Sequence, residues 1–331
     1  MKTKKPDIFL GITMCLLVLA AVLCIVILFV NKSGKTNNSE NPADSQVSTT
    51  ESNSAQTNES GEPITPPASG EVPPETKQPS VDPANLSDID AAGLKAALDE
   101  SLRGLTSEWQ VVVIDPAKDL IVKSSVNCSA EGWMTANRMA QVFIMGAVFQ
   151  QAKDGTLVLD EHLEDVKAMI TKNDTYAADR LTETLGGGDA AKGRDAVKAF
   201  AVDNGVKLGF NRPLTGSSSQ KNYVTAQQTA TILGLICQGK LVSEASSQQM
   251  LDILLTPAES LEIEPALTTE GARYGFICDV EADTCICTMG VVKLPNRSFV
   301  ISVVCNKPVT TDGAKKKVVE LIGITEPYFA E

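Results

Sequence analysis

Histidine is almost absent from this chain, since His162 is the single histidine among 331 residues. A zinc site built on paired histidines is therefore excluded, and a Ser-His-Asp or Cys-His mechanism would have to use His162 itself. His162 lies in the acidic run from Asp160 to Asp165, which is conceivable as a metal site but is more typical of a solvated helix start. We expect neither a bound metal nor a cofactor.

Aromatic residues and positive charge are scarce as well. Phe, Trp and Tyr make up 5% of the chain, and 29 basic residues stand against 41 acidic ones, which gives a net charge of -12. So few aromatic rings argue against a stacking platform for single-stranded nucleic acid. The acidic balance argues against a general phosphate-binding surface, so we expect no nucleic-acid partner.

Charged residues are missing altogether from residues 8–30. At 1.5 Å rise per residue this run spans roughly 34 Å, which is enough to cross the core of a bilayer. Residues 1–7 carry Lys2, Lys4 and Lys5, so we expect this head in the cytoplasm and the rest of the chain outside. The sequence predicts a single-pass signal-anchor, with a cleaved signal peptide as the alternative, although no clear small-x-small cleavage site follows.

Residues 31–85 contain no aromatic residue but hold eight of the sixteen prolines. Ser, Thr, Asn, Glu and Pro dominate this stretch, so it cannot bury enough apolar surface to offset its chain entropy. We expect a disordered spacer. It would serve either as a stalk that holds a domain away from the membrane or as a linker without a length requirement.

Residues 86–331 have the pattern of one α+β domain. A first helix is followed by two strands, about 130 residues of helical pattern, three strands and a last helix. Because short turns join the late strands, we predict a five-stranded antiparallel sheet covered by the terminal helices, with an all-helical lobe and a cleft between them. The predicted strands are Trp109–Ile114, Leu120–Ser125, Arg273–Asp279, Thr284–Val292 and Ser298–Cys305.

Three stretches of this domain carry a family resemblance: Val142–Gln151, Met169–Ala178 and Gln238–Ser243. Their order and spacing resemble those of class A β-lactamases and related penicillin-recognising serine enzymes, over essentially all of residues 86–331. The resemblance implies the fold described above and a place at a bacterial cell membrane, with the domain facing the cell wall. It also implies a serine mechanism that rests on three motifs, S-x-x-K, S-D-N and K-T-G.

The three motifs are degenerate here. Matched residue by residue, the first falls on Arg138 to Gln141, the second on Asn173, Asp174 and Thr175, and the third on Ile277, Cys278 and Asp279. The resemblance therefore places an arginine where the nucleophilic serine stands and a glutamine where the lysine stands. Neither side chain can act as nucleophile or base at neutral pH. Arg138 could instead recognise an anion or be a solvated helix-start residue.

One intact S-x-x-K occurs elsewhere, from Ser218 to Lys221. It lies in a Gly-Ser loop with no apolar helix directly behind it, whereas the chemistry needs the serine at a helix start. The region from Lys207 to Asn222 also lacks an Asp or Glu that could match the family's deacylating acid. This pair remains the candidate for an active enzyme.

Cysteines follow the same extracellular expectation, because disulfides persist in oxidising compartments. A symmetric turn at Glu281 and Ala282 would place Cys278 opposite Cys285, and a three-residue turn further on would place Cys305 opposite Cys287. We therefore predict a Cys278–Cys285 bridge and a facing Cys287–Cys305 pair. The alternative of a reactive Cys278 lacks a base nearby.

Three functions are open on these grounds. The first is a non-catalytic, membrane-tethered pseudoenzyme that binds a peptidoglycan fragment, a β-lactam-like ligand or an envelope protein. The second is an active serine hydrolase that uses Ser218 and Lys221. The third is an architectural module that faces the cell wall. The replaced motif residues favour the first over the second.

Overall fold

The computed structural model describes residues 87–216, 219–259 and 261–330. The predicted cytoplasmic head, membrane span and spacer, together with Ser218, lie outside the described residues. Within the described ranges, no helix has the length and apolar character needed to cross a membrane.

The described chain has a helix, two strands, a mostly helical block, three strands and a last helix, which is the predicted order. In chain order the elements are α1 (Ala91–Leu102), β1 (Glu108–Asp115), β2 (Leu120–Val126), β3 (Met134–Thr135), α2 (Gln141–Lys153), α3 (Leu163–Thr171), α4 (Thr175–Leu185), α5 (Ala190–Asp203), β4 (Tyr223–Val224), α6 (Ala226–Cys237), α7 (Glu244–Leu254), β5 (Arg273–Glu281), β6 (Cys285–Lys293), β7 (Ser298–Asn306) and α8 (Thr311–Thr325). Short 3-10 turns cover Arg138–Ala140, Leu159–Glu161 and Glu326–Tyr328.

A single five-stranded antiparallel sheet has the order β2-β1-β7-β6-β5. The first two strands therefore join the last three through the β1–β7 pairing, as the sequence predicted. Strands β2 and β5 are the two edges of this sheet. The short β3 and β4 pair separately, and sequence reasoning missed them because two residues are too few to show an alternating pattern.

The sheet separates two hydrophobic cores because side chains alternate between its faces. On one face, which we call the terminal-helix face, α1 and α8 bury residues such as Leu98 and Val318 against the odd-numbered residues of β1 and β7. On the other, the helical-block face, α2 to α7 pack against Ile114 and Val304. Terminal helices on one face and a helical block on the other confirm the predicted architecture.

The predicted disulfides are wrong. The β5–β6 hairpin pairs Glu281 with Cys285 through a three-residue loop, so Cys278 lies opposite Thr288. Cys278 packs on the terminal-helix face and Cys285 on the helical-block face, which puts the sheet between the two thiols. The same holds for Cys305 and Cys287, because Cys305 pairs with Ile286. All six cysteines in the described ranges are free thiols.

Helix α2 lies at the centre of the helical block and positions the site. Nine successive residues from Gln141 to Phe149 are buried, and all but the first of them are apolar, as expected for a buried helix. Gly146 is required within it, because a Cβ there would lie 2.4 Å from Phe200 Cζ on α5. The buried helix therefore starts at a fixed place beside the edge strand β5.

Candidate functional site

The start of α2 is tied directly to β5. The backbone N–H of Arg138 donates to Asp279 Oδ2 over 3.1 Å. The Arg138 guanidinium makes looser contacts, with Nη1 at 3.5 Å from Glu262 Oε2 and Nε at 3.9 Å from Asp279 Oδ1. The amide at the helix start is thus occupied by a carboxylate of the chain itself, whereas the guanidinium keeps unused donors.

Asp279 is 2% exposed on the helical-block face of β5. Burial raises the pKa of its carboxyl, although the Arg138 amide and guanidinium oppose that change. Cys285 Sγ, on the neighbouring strand, also donates to Asp279 Oδ2 over 3.6 Å. A buried acid therefore fills the space between the helix start and the strand.

A second link joins α2 to the same strand through Asn173. Gln141 Nε2 donates to Asn173 Oδ1 over 2.9 Å, and Asn173 Nδ2 donates to the Cys278 carbonyl over 3.3 Å. The carbonyl can only accept, so it fixes the orientation of both amides. By resemblance, Gln141 occupies the lysine position of the first motif and Asn173 the serine position of the second. Here their neutral side chains form a chain of hydrogen bonds that ends on β5.

Asp174 and Thr175 form the start of α4. Asn173 has φ +53°, a left-handed conformation that asparagine tolerates. Asp174 is the N-cap of α4 and accepts from the amides of Tyr176 and Ala177 over 2.8 and 3.1 Å. Asp174 therefore stabilises the start of this helix.

Two other residues of the third motif are unsuited to reaction. Ile277 is buried in the core of the helical-block face. Burial raises the pKa of the Cys278 thiol to about 11, so almost no thiolate is present at neutral pH. The proposal of a Cys278 nucleophile therefore lacks physical support.

Lys221 is engaged at the edge of this site. Its Nζ lies 3.1 Å from Glu281 Oε1, and Asn137 Nδ2 donates to the other Glu281 oxygen over 2.5 Å. Glu281 of β5 therefore holds both the residue before the helix start and the loop that carries Lys221. Ser218 is outside the described residues.

The cleft between β5 and the helical block narrows to a cavity of about 210 Å³. Arg138, Lys172 and Asn173 line it from the helical side, and Glu262 lines it from the segment that precedes β5. Lys172 Nζ lies 2.8 Å from Glu259 Oε1. Together with the Arg138–Glu262 pair, this gives the mouth of the cavity two ion pairs. Sequence reasoning missed Lys172, Glu259 and Glu262, although the acidic stretch before β5 was a usable signal.

His162 lies at the junction of the 3-10 turn and α3 and does not line the cavity beside Arg138. In the described ranges, no group of three or more His, Cys, Asp or Glu side chains is arranged to hold a metal ion.

Residues 163–324 match the model of the beta-lactamase enzyme family. The chain carries a β-lactamase-like domain. No curated protein matches the chain.

Solved structures agree with this assignment. TLA-1 extended-spectrum β-lactamase superposes with a TM-score of 0.62 at 15% identity, over 73% of this chain and 99% of that one. The β-lactamase of Sphaerobacter thermophilus gives 0.58 at 16% identity, over 71% and 95%. A variant class A β-lactamase of the last common ancestor of Gram-negative bacteria gives 0.57 at 20% identity, over 70% and 96%. At such low identity the likeness establishes the fold and not the activity.

The β-lactamase-like domain thus brings five of the motif-position residues together: Arg138, Gln141, Asn173, Cys278 and Asp279. They form hydrogen bonds with one another instead of presenting a nucleophile beside a base. At the cavity, the side chains that can still accept or donate hydrogen bonds to a ligand are the charged ones, Arg138 and Glu262. This arrangement can bind a small charged molecule.

Proposed function

We propose that this chain is a membrane-tethered, non-catalytic β-lactamase-like protein whose cleft binds a fragment of the bacterial cell envelope. The hydrogen bond from the Arg138 amide to Asp279 Oδ2 carries the non-catalytic part of the proposal. Acyl transfer needs free backbone donors where negative charge develops on the substrate oxygen. Here a carboxylate of the chain occupies the helix-start donor, and an approaching oxyanion would meet a negative group.

The mouth of the cavity favours a ligand that carries both signs of charge. Arg138 is one-third exposed and its ionic contacts are 3.5 and 3.9 Å long, so a ligand carboxylate gains shorter bonds from it. Glu262 is similarly exposed and can accept a ligand amine. Peptide fragments of peptidoglycan offer both groups, as β-lactam-like ligands do in part. An envelope protein is the alternative occupant.

The binding part is testable with a soluble muropeptide. We expect isothermal titration calorimetry on the full chain to show binding, and Arg138→Gln to weaken it by about tenfold or more, which is the loss of one charge-assisted contact. Arg103→Gln is the matched control, because Arg103 is an exposed residue directly after α1 whose ion pair is with the exposed Glu100. Equal affinities for wild type and Arg138→Gln would contradict this site.

We propose that residues 8–30, which carry no charge and follow a basic head, anchor the chain in the membrane. Added protease should release the domain from intact cells by cutting within residues 31–85, because an exposed spacer of this composition is readily cleaved. The measurement is an immunoblot of the released fragment. Complete protection of the domain in intact cells, together with cleavage after lysis, would contradict the extracellular placement.

A further inference from the structure

A second cavity of about 350 Å³ lies on the helical block, where α5 faces the loop that leads into β4. Helix α5 contributes Arg194 and Lys198, which are four residues apart and therefore share one helix face. The loop and β4 contribute Asn211, Lys221 and Tyr223, and the buried ring of Phe210 also lines the cavity. None of these residues lines the cavity beside Arg138.

The charge of this cavity is opposite to that of the chain. Three cationic side chains and a single acid, Asp195, line it, although the net charge of the chain is -12. Lys198 Nζ lies 2.7 Å from Asp195 Oδ1, and Lys221 is held by Glu281. The cavity therefore keeps an excess of positive charge, which concentrates anions.

Arg194 accounts for that excess. It is only partly exposed, yet among the described residues it has no carboxylate within 4.0 Å, and its guanidinium donates no hydrogen bond to them. A guanidinium has five N–H donors in a planar fork that fits phosphate or carboxylate oxygens in pairs. A partly buried fork whose donors no described residue occupies can bind the oxygens of a ligand.

Tyr223 adds an apolar surface beside these cations. Its backbone exchanges two 2.9 Å hydrogen bonds with Gly209, and a Cβ at position 209 would lie 3.0 Å from Tyr223 Cβ. The tyrosine itself is 36% exposed and lines the cavity, so part of its ring is accessible from there. An aromatic ring with free space next to it can pack against the apolar face of a sugar.

We propose that this cavity binds a sugar that carries a phosphate or carboxylate group, with the anion on Arg194 and Lys198 and the sugar ring against Tyr223. The proposal is independent of the cleft. A nucleic-acid strand does not fit it, because Tyr223 is a single ring and not a row of stacking platforms.

The test is isothermal titration calorimetry on the full chain with glucose 1-phosphate as the probe. We expect binding that is tighter than for either inorganic phosphate or glucose, because only the sugar phosphate satisfies both parts of the cavity. Arg194→Gln should weaken the affinity by about tenfold or more. Lys192→Gln is the matched control, since Lys192 is an exposed α5 residue that does not line the cavity.

Several outcomes overturn the proposal. One is no binding of glucose 1-phosphate at about 10 mM. A second is an equal loss of affinity in Lys192→Gln, which would mean diffuse charge attraction. A third is binding that Arg138→Gln abolishes and Arg194→Gln leaves unchanged, which would place the sugar phosphate in the cleft. Equal affinity for inorganic phosphate would overturn the contact with Tyr223.

Unchanged melting temperatures confirm that each variant is folded, and Lys198→Gln serves as a second variant.

Discussion

The wild-type chain is expected to show no measurable turnover of a chromogenic cephalosporin, and Arg138→Ser alone is expected to restore none. In the serine mechanism the nucleophile, its base and the oxyanion donors act as a unit, and loss of the nucleophile alone lowers kcat by about 10⁶ in well-studied serine hydrolases. In this chain Gln141 cannot take a proton, and Asp279 occupies the Arg138 amide.

The measurement is absorbance at high enzyme concentration, with an active class A β-lactamase as the positive control. Arg138→Ser with Gln141→Lys tests the role of Asp279, because both reactive groups return while the carboxylate stays at the amide. We expect this double variant to remain inactive as well. Turnover by the wild type that disappears in Ser218→Ala would promote the serine hydrolase that uses Ser218 and Lys221.

Arg297→Met is expected to lower the free energy of unfolding by about 3–5 kcal/mol, which is the usual cost of removing one partner from a buried ion pair. Arg297 lies in the β6–β7 turn, and its Nη2 donates to Asp115 Oδ2 at the end of β1. The side chains of Arg297 and Asp115 are 2% and 0% exposed. The methionine would leave a carboxylate buried without a counter-charge.

The effect should extend to both ends of the domain. Arg297 Nη1 donates to the Ser87 carbonyl over 2.7 Å, where the described chain begins, and the guanidinium lies 5.5 Å from the ring centre of Phe329 near its end. Urea unfolding of the variant should therefore show a lower midpoint without a change in slope.

Two further variants make this prediction specific. Arg103→Met removes an exposed pair with Glu100 and should cost no more than about 1 kcal/mol. Combining Arg297→Met with Asp115→Leu should recover much of the loss, because no unpaired charge then remains buried. Equal costs for Arg297→Met and Arg103→Met would show that the buried pair does not stabilise the fold.

The sequence by itself determined the architecture of the domain. The order of a helix, two strands, a helical block, three strands and a helix predicted the sheet and the helices that cover it, and the apolar Val142–Phe149 segment indicated a buried helix. Apolar runs and the turns between them are local patterns, so they can be read without knowing what the chain packs against. The family resemblance added the positions that meet at the cleft.

What those positions do was decided by tertiary structure. A one-residue change of register moves a side chain to the opposite face, so the three-residue hairpin loop, not the cysteine spacing, separated Cys278 from Cys285. The Arg138–Asp279 hydrogen bond joins residues 141 positions apart. Arg194 has no carboxylate partner among the described residues, and this depends on which elements pack against α5. Contacts across such distances depend on how the elements pack, and no local pattern in the sequence encodes them.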